Sequence, residues 1–145
     1  MKIKIIDIAE VDSLKDCIAE LAEHHNNVSL NFKGAFPKQP IGNTLTDFKK
    51  ELAENTAQIC AAVEKETIVG FCKIRITGTE GNLDYLMVKK KYRKLGYGKI
   101  LMDWAMQEFK QRNIEHIEIR VVIGNNARTF YEKYGFKAKS VILAK

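Results

Sequence analysis

The sequence predicts one mixed α/β domain, in which helices flank a mostly antiparallel β-sheet. Apolar and polar residues alternate along several short stretches, as in strands, and apolar residues recur at helical spacing along others. Two connections between predicted strands are short and polar, so those strands are expected to be antiparallel neighbours. The 145 residues match the usual size of a single domain, about 100–150 residues. We therefore expect residues 1–145 to form one domain.

The composition argues against several other classes of protein. Apolar residues make up 46% and charged residues 29% of the chain, as in ordinary globular proteins. Uninterrupted apolar runs span only a few residues, whereas a membrane helix needs about 20. The first residues are too charged for the core of a signal peptide, so we expect a cytoplasmic protein with no membrane partner. Cys17, Cys60 and Cys72 lie in apolar stretches without metal-ligand spacing, which predicts buried thiols and no metal site.

The charge of the chain indicates an anionic partner. The formal net charge is +6 and the sequence pI is about 9.2. Nucleic acid, an anionic membrane and a phosphate-rich small molecule all fit such a charge. Composition does not choose among them.

The first third of the chain predicts a strand, two helices and a long loop. Residues 2–8 alternate apolar and charged side chains, as in a strand with one wet face. Apolar residues from Leu14 to Leu21 follow helical spacing, and Asp12 or Ser13 can cap that helix. Residues 24–40 contain a glycine and two prolines and predict a loop, and long loops in compact domains are often functional. A pair resembling a capping box, Thr44 with Asp47, predicts a second helix over residues 44–55.

The remaining chain predicts four strands around two further helices. Residues 58–63, 67–76 and 82–89 form a predicted antiparallel meander. Residues 98–112 are strongly amphipathic and predict a helix, and residues 114–121 predict a strand. Asn125 or Asn126 can cap the last helix, and Gly135 follows it where a left-handed residue is needed. Residues 136–143 predict a final strand.

The segment 83–99 carries the clearest chemical signal. A strand ends near Val88, a basic turn follows, and a helix begins at Gly96 and Gly98. Glycines let the backbone turn tightly and approach a ligand closely, and the first amides of a helix have no internal partners. Such a helix start binds anions, and Arg93, Lys94 and Lys99 would add positive charge around it. Taken alone, the same residues could form only a turn and a solvated basic loop.

A second segment, 124–136, makes the interpretation of segment 83–99 more specific. Arg93-Lys94-Leu95-Gly96-Tyr97-Gly98 fits the Arg/Gln-x-x-Gly-x-Gly/Ala pyrophosphate loop of the GNAT family of acetyl-CoA-dependent N-acetyltransferases, and residues 127–136 resemble that family's Asn…Ala…Tyr-Glu-Lys…Gly-Phe helix. The predicted order of elements also resembles that of the family. The resemblance covers the whole chain, weakly before Gln58 and strongly from Leu83 to Phe136.

The resemblance implies a fold and a way of binding acetyl-CoA. The fourth strand would splay from the fifth, and the pantetheine arm would lie between them like an added strand. It would pair with backbone near Leu86, Met87 and Val88, and an amide of Val88 or Met87 would polarise the acetyl carbonyl. The residues expected around the pyrophosphate are Arg93, Lys94, Leu95, Gly96, Tyr97, Gly98 and Lys99.

The resemblance also implies catalytic residues. Tyr131 matches the family's tyrosine beside the coenzyme sulfur, a general acid for the departing thiolate. The family's asparagine often stands where this chain has Gly124, so the contact with pantetheine falls to Asn125 or Asn126, and we favour Asn126. Asp84 occupies a place where many relatives have an acid and could serve as the base. It could equally be a surface carboxylate paired with a lysine.

We therefore predict an acetyltransferase that moves an acetyl group from acetyl-CoA to a primary amine by direct attack. The acceptor, a small molecule or a peptide or protein amine, is not identified by the sequence, and homodimer formation is left open. The net charge disfavours a polycationic acceptor unless acids such as Glu51, Glu54 and Asp84 gather locally. The main alternative is a catalytically silent CoA-binding module on the same fold. A nucleic-acid-binding domain that uses residues 89–94 is less favoured, because the basic run is compact and lies at a helix start.

Overall fold

The computed structural model describes residues 2–145, so Met1 of the predicted domain lies outside the described residues. Its sheet has five strands in sequence order. The first four strands pair antiparallel in succession, and the fifth pairs parallel to the fourth. The prediction of a mixed, mostly antiparallel sheet is confirmed. The strands are β1 (Lys2–Ile5), β2 (Ala57–Glu64), β3 (Thr67–Thr77), β4 (Glu80–Val88) and β5 (His116–Ile119).

Helices cover both faces of the sheet. They are α1 (Lys15–Val28), which a 3-10 helix over Ile8–Leu14 precedes, α2 (Ile41–Ala53), α3 (Tyr97–Gln111) and α4 (Ala127–Glu132). Successive strand side chains point to opposite faces. Along β2, Ile59 therefore packs beneath α1 and α2, and Cys60 packs beneath α3 and α4. The three cysteines are buried free thiols, as predicted.

The ends of the first strand and of the first long helix differ from the prediction because side chains form hydrogen bonds with the backbone there. The first strand ends at Ile5 rather than at residue 8, since the Asp7 side chain accepts a hydrogen bond from the Glu10 amide in a capping box and starts the 3-10 helix. Helix α1 continues through Val28, so the loop begins at residue 29 rather than at residue 24. The Asn26 side chain bonds the backbone of Phe36 in both directions, which ties the end of α1 to the loop.

Helix α2 begins at Ile41, earlier than the predicted Thr44. Its first turn forms on the carbonyl of Pro40, which accepts hydrogen bonds from the amides of residues 43 and 44. Thr44 and Asp47 do not form a capping box, because both side chains accept hydrogen bonds from the Gln39 amide group instead.

The predicted last strand is absent from the described chain. Residues 136–145 have no strand conformation, and Val141, Ile142 and Leu143 are 68%, 75% and 90% exposed. The segment touches β5 through a side chain, Lys139 to Glu118, without a backbone ladder. An alternating pattern forms a strand only where a partner edge supplies backbone hydrogen bonds.

Strand β4 contains a β-bulge that shapes its second half. Lys73 pairs with Tyr85 and Ile74 pairs with Leu83, so Asp84 faces no residue of β3. The extra residue reverses the alternation of side chains. Leu83 therefore lies in the cluster beneath α3, whereas Tyr85 packs against the cluster beneath α1 and α2.

Candidate active site

The pairing between β4 and β5 ends at this bulge. Strand β5 pairs only with residues 80–83 of β4, while β4 continues to Val88. Among residues 2–145, no strand pairs with residues 84–88 on that side of the sheet. The predicted splay between the fourth and fifth strands is therefore present, and we call it the β4–β5 gap.

The backbone of β4 presents hydrogen-bonding groups to the β4–β5 gap. The Lys89 amide donates to the Val69 carbonyl of β3 at 2.8 Å. Because alternate residues of an antiparallel pair bond to the partner strand, the amides of Leu86 and Val88 point away from β3 and that of Met87 points toward it. The Val88 carbonyl also points outward, since Arg93 Nε donates to it at 2.9 Å. Of the two amides predicted to polarise an acetyl group, the one that faces the gap is that of Val88.

Beyond β4, the chain turns sharply into α3. Lys94 and Gly96 have φ angles of +64° and +95°, and Gly96 is the N-cap of α3. Gly96 accepts the first intrahelical bond, from Ile100, at 3.2 Å, and no side chain caps the helix. The amides of residues 97–99 are thus left without intrahelical partners. The start of α3 is therefore suited to an anion.

Gly98 has no structural need to be glycine. It has an ordinary φ, and a Cβ built on it would meet nothing nearer than Val88 Cγ2 at 4.0 Å. The open space lies beside the exposed amides of the α3 N-terminus. The lack of a side chain there leaves room for a ligand, in contrast to glycines that the fold itself requires.

The predicted pyrophosphate residues divide into two groups. Lys94, Leu95 and Lys99 are exposed or partly exposed on the loop and the first turn of α3, and Lys99 also pairs with Asp103 at 2.7 Å. Tyr97 is buried, and its hydroxyl donates to Glu64 at the end of β2. Tyr97 can therefore reach a ligand only through its backbone amide.

Tyr131 lies in α4, with its ring buried in the cluster beneath α3. Burial raises the pKa of its hydroxyl above the ordinary value, so the phenol stays protonated at neutral pH. No hydrogen bond joins this hydroxyl to residues 2–145, and no buried side-chain oxygen or nitrogen in that range lacks a partner. The hydroxyl therefore retains contact with solvent, as a proton donor without a protein acceptor.

The loop before α4 assigns different tasks to its two asparagines. Asn125 Oδ1 accepts a hydrogen bond from the Ala127 amide at 2.9 Å and thus caps α4. The Asn126 side chain is exposed and makes no capping hydrogen bond. Gly124 has a φ of +101°, and a Cβ there would lie 2.0 Å from the Val28 carbonyl oxygen. The departure from the family pattern at Gly124 therefore has a structural cause, because the end of α1 packs directly on that position.

Asp84 is part of a cluster of four charged residues. Its Oδ2 lies 2.6 Å from Lys73 Nζ and 3.0 Å from Arg75 Nε, and Glu51 of α2 lies 3.2 Å from Lys73. Lys73 is only 2% exposed. Burial alone would raise the pKa of Asp84, but the hydrogen bond from Arg75 and the charge of Lys73 outweigh it and hold that pKa below its ordinary value. This geometry matches the ion-paired alternative considered for Asp84, and its role in proton transfer stays a prediction.

Two residues of α1 border the site although no sequence motif marks them. The Glu20 carboxylate accepts a hydrogen bond from the Lys90 amide at 2.9 Å, which fixes the start of the basic turn after β4. His24, one helical turn further, is half-buried; burial lowers its pKa, and the charge of Arg93 lowers it further. Their partners, Lys90 and Arg93, are distant in sequence, so no local motif predicts these contacts. The only signal in the sequence is that Glu20 and His24 are four residues apart and therefore lie on the same face of α1.

Residues 2–145 contain neither a metal-ligand cluster nor a membrane-spanning helix. No group of three or more histidine, cysteine or acidic side chains is placed to hold a metal ion there. No helix in that range has the length and apolar character needed to cross a bilayer.

A family model identifies the class of protein to which this fold and site belong. Residues 18–144 match the model of the acetyltransferase (GNAT) domain. The chain belongs to the GNAT acetyltransferase family.

Individual relatives are similar to parts of the chain. A Bacillus subtilis (strain 168) protein whose name describes an acetyltransferase is 29% identical over 101 residues, which are 70% of this chain and 66% of the relative. The ribosomal protein bS18-alanine N-acetyltransferase of Haemophilus influenzae is 28% identical over 74 residues, which are 51% of each chain. The chain thus spans less than two thirds of the length of these curated relatives.

Solved structures share the fold over almost the full chain. The PaiA N-acetyltransferase of Thermoplasma acidophilum in complex with coenzyme A superposes with a TM-score of 0.80 at 20% identity, over 98% of this chain and 94% of the other. An acetyltransferase of Clostridium acetobutylicum with acetyl-CoA gives a TM-score of 0.74 at 21% identity, over 99% and 94%. At such identities the likeness establishes the fold.

Proposed function

We propose that the chain binds acetyl-CoA in the β4–β5 gap and transfers its acetyl group to a primary amine by direct attack. The observation that carries this proposal is one continuous edge of the fold. The unpaired half of β4 leads to an uncapped helix start, where Gly98 leaves open space. Two GNAT structures of the same fold contain coenzyme A or acetyl-CoA.

The amides that face the gap would bind the pantetheine arm. Leu86 and Val88 present theirs as an added strand would require, and the exposed Asn126 side chain can contact the arm from the other side. The amides of residues 97–99 and the charges of Arg93 and Lys94 would hold the pyrophosphate.

The reaction forms a bond between the amine nitrogen and the acetyl carbon and breaks the bond from that carbon to sulfur. The Val88 amide would stabilise the negative charge that develops on the carbonyl oxygen. The Tyr131 hydroxyl would donate a proton to the departing sulfur, and its raised pKa keeps that proton available. The amine must be neutral to attack, and one with an ordinary pKa of about 10.4 is mostly protonated at neutral pH.

Asp84 has two candidate roles that a pH profile separates. As the base, it would accept the amine proton directly or through water, and Asp84→Asn would remove a limb from the pH profile of kcat/KM. As a member of the ion-paired cluster, it would hold the bulge of β4. Asp84→Asn would then lower activity at every pH without changing the profile. Its pairs with Lys73 and Arg75 support the second role.

Two measurements on the unmodified protein test the proposal. Calorimetry with coenzyme A measures binding, and release of free thiol from acetyl-CoA with a panel of amines measures transfer. Binding with amine-dependent thiol release supports the enzyme. Binding without release would favour the silent CoA-binding module. Nucleic-acid binding that falls steeply with salt, without coenzyme affinity, would favour the third interpretation.

A further inference from the structure

Positive charge is concentrated on three segments: one that includes the end of β4, one that follows β5, and one that contacts the second through Leu30 and Ile123. Residues 24–46, 85–102 and 119–131 contain no aspartate or glutamate. They hold two, six and two lysines or arginines, respectively. Because the whole chain has a formal net charge of +6, the remainder of the chain carries a net negative charge. These basic residues are Lys33, Lys38, Lys89, Lys90, Lys91, Arg93, Lys94, Lys99, Arg120 and Arg128.

Two acidic residues close to these segments already have partners. Glu20 accepts the Lys90 amide, and Asp47 accepts the Gln39 side chain. Glu51 and Asp84 do gather beside β4, but Lys73 and Arg75 oppose them with equal formal charge. A polycationic acceptor would need a local excess of acidic residues. Glu51 and Asp84 provide no such excess, because Lys73 and Arg75 neutralise them.

The loop between α1 and α2, residues 29–40, carries two lysines of its own, Lys33 and Lys38. Its start is fixed beside the loop before α4, since the Leu30 amide donates to the Ile123 carbonyl at 3.0 Å. Lys38 Nζ lies 5.9 Å from the centre of the Phe36 ring, which packs against His25 at 5.2 Å.

Lys33 and Lys38 are exposed. Neither has a carboxylate within 4 Å among residues 2–145. In the proposed coenzyme site, the phosphates would lie beside the cations of residues 89–99.

We propose that the acceptor is a primary amine that also carries a carboxylate or phosphate, and that Lys33 and Lys38 attract this anionic group. This inference rests on the proposed acetyl transfer. Two unit charges interact by only about 1 kcal/mol at 4 Å in water, and salt screens them over about 10 Å. We therefore expect a moderate preference in kcat/KM for acceptors with an anionic group, and this preference should decrease as the salt concentration rises.

Three peptides with the same N-terminal amine test the preference. Ala-Glu-Glu, Ala-Gln-Gln and Ala-Arg-Arg, each with an amidated C-terminus, differ in charge beyond a common alanine and carry no other primary amine. We expect kcat/KM to fall about tenfold at each step in that order at low ionic strength, and the differences to shrink in 0.5 M salt. Glucosamine and its 6-phosphate form a second pair. A preference confined to that pair identifies a small-molecule acceptor, and one confined to the peptides identifies a peptide acceptor.

Matched lysine variants test the assignment to the loop. Lys33→Gln with Lys38→Gln should reduce the preference for the acidic member of a pair about tenfold and leave coenzyme affinity unchanged. Lys65→Gln with Lys110→Gln removes two exposed lysines elsewhere and should leave the preference intact. Equal kcat/KM for all three peptides and both sugars, or a loop variant that behaves like its control, overturns the inference alone. Absence of thiol release with every amine overturns the proposed transfer, and the inference falls with it.

Discussion

After β4 the chain turns into α3 through residues 89–96, and after β5 it turns into α4 through residues 120–126. Both turns contain a glycine with positive φ, at +95° in Gly96 and +101° in Gly124. The first turn leaves the start of its helix uncapped and keeps open space at Gly98. In the second turn, Asn125 caps the helix and α1 packs on Gly124.

The two turns use a similar strand–glycine–helix arrangement for different purposes: the first is open to a ligand, and the second is closed by contacts within the fold. Unpaired amides and empty space at a helix start cost stability unless a ligand satisfies them, whereas a capped start is complete without one. We therefore expect coenzyme binding to depend on the turn after β4. The turn after β5 should contribute through Asn126 and by positioning α4, which carries Tyr131.

The largest expected effect on coenzyme affinity comes from filling the space at Gly98. Gly98→Val would place a branched side chain beside the exposed amides, where the fold has room but a ligand would not. Overpacking of about 1–3 kcal/mol corresponds to a loss of up to about 100-fold in coenzyme affinity. Calorimetry with coenzyme A, together with the melting temperature, measures the result.

Gly42→Val is the matched control, since Gly42 is also the second residue of its helix and a Cβ at that position would have nothing within 4 Å. Both variants should fold. Unchanged coenzyme affinity in folded Gly98→Val would remove the pyrophosphate-loop interpretation.

The next effect concerns Tyr131 and the chemical step. Tyr131→Phe keeps the ring and removes the hydroxyl, so coenzyme affinity and melting temperature should barely change. General acid catalysis contributes about 100-fold to 10,000-fold, and the single-turnover rate should fall by that order. Because the pKa of Tyr131 is raised, its protonated form persists beyond pH 10, and this residue should add no falling limb to the wild-type rate below that pH.

The opposite result would identify Tyr131 as a packing residue. In that case stability would fall by about 1 kcal/mol with little change in rate. The hydroxyl has no hydrogen-bond partner among residues 2–145, which argues against such a stability loss. Single-turnover rates are required because slow product release could mask the chemical step in steady-state kcat.

A smaller effect, on stability, is expected at Gly124. Gly124→Ala combines a positive φ with a Cβ 2.0 Å from a carbonyl oxygen, so unfolding free energy should fall by about 2–4 kcal/mol. Gly135→Ala shares the positive φ, +91°, but meets nothing within 4 Å. Denaturant unfolding of both variants isolates the contact with α1. If the two lose equal stability, the close packing of α1 on this turn is not a constraint.

Local patterns were sufficient to predict much of this architecture. The alternation along β2, β3 and β4 and the apolar stripe of α3 predicted those elements to within about two residues of their observed ends. Gly135 has the left-handed conformation expected after the last helix, with a φ of +91°. In each case the residues that determine the element lie within it or within a few residues of its end.

Features that depend on distant contacts were not predictable in the same way. The end of α1 is set by Asn26 with Phe36, and the surroundings of Asp84 by cations of β3. The Asn125 cap was one of two alternatives that the sequence left open, and the contact of Val28 with Gly124 had no signal. Residues 136–143 show the converse, since they have a strand pattern but no partner edge.

The smallest expected effect concerns what holds the turn after β4 in place. Glu20 of α1 accepts a hydrogen bond from the Lys90 amide at 2.9 Å, and this bond holds the start of the turn. Glu20→Ala removes the acceptor. A single hydrogen bond contributes about 0.5–1.5 kcal/mol, so coenzyme affinity should fall about twofold to tenfold while kcat stays near wild type.

Glu20→Gln retains an acceptor oxygen and should restore most of the affinity if the bond, rather than the charge, is responsible. Glu23→Ala removes an exposed carboxylate from the same helix and is the matched control. If Glu20→Ala binds coenzyme as Glu23→Ala does, the turn holds its shape through Arg93 and its own backbone, and its conformation is independent of α1.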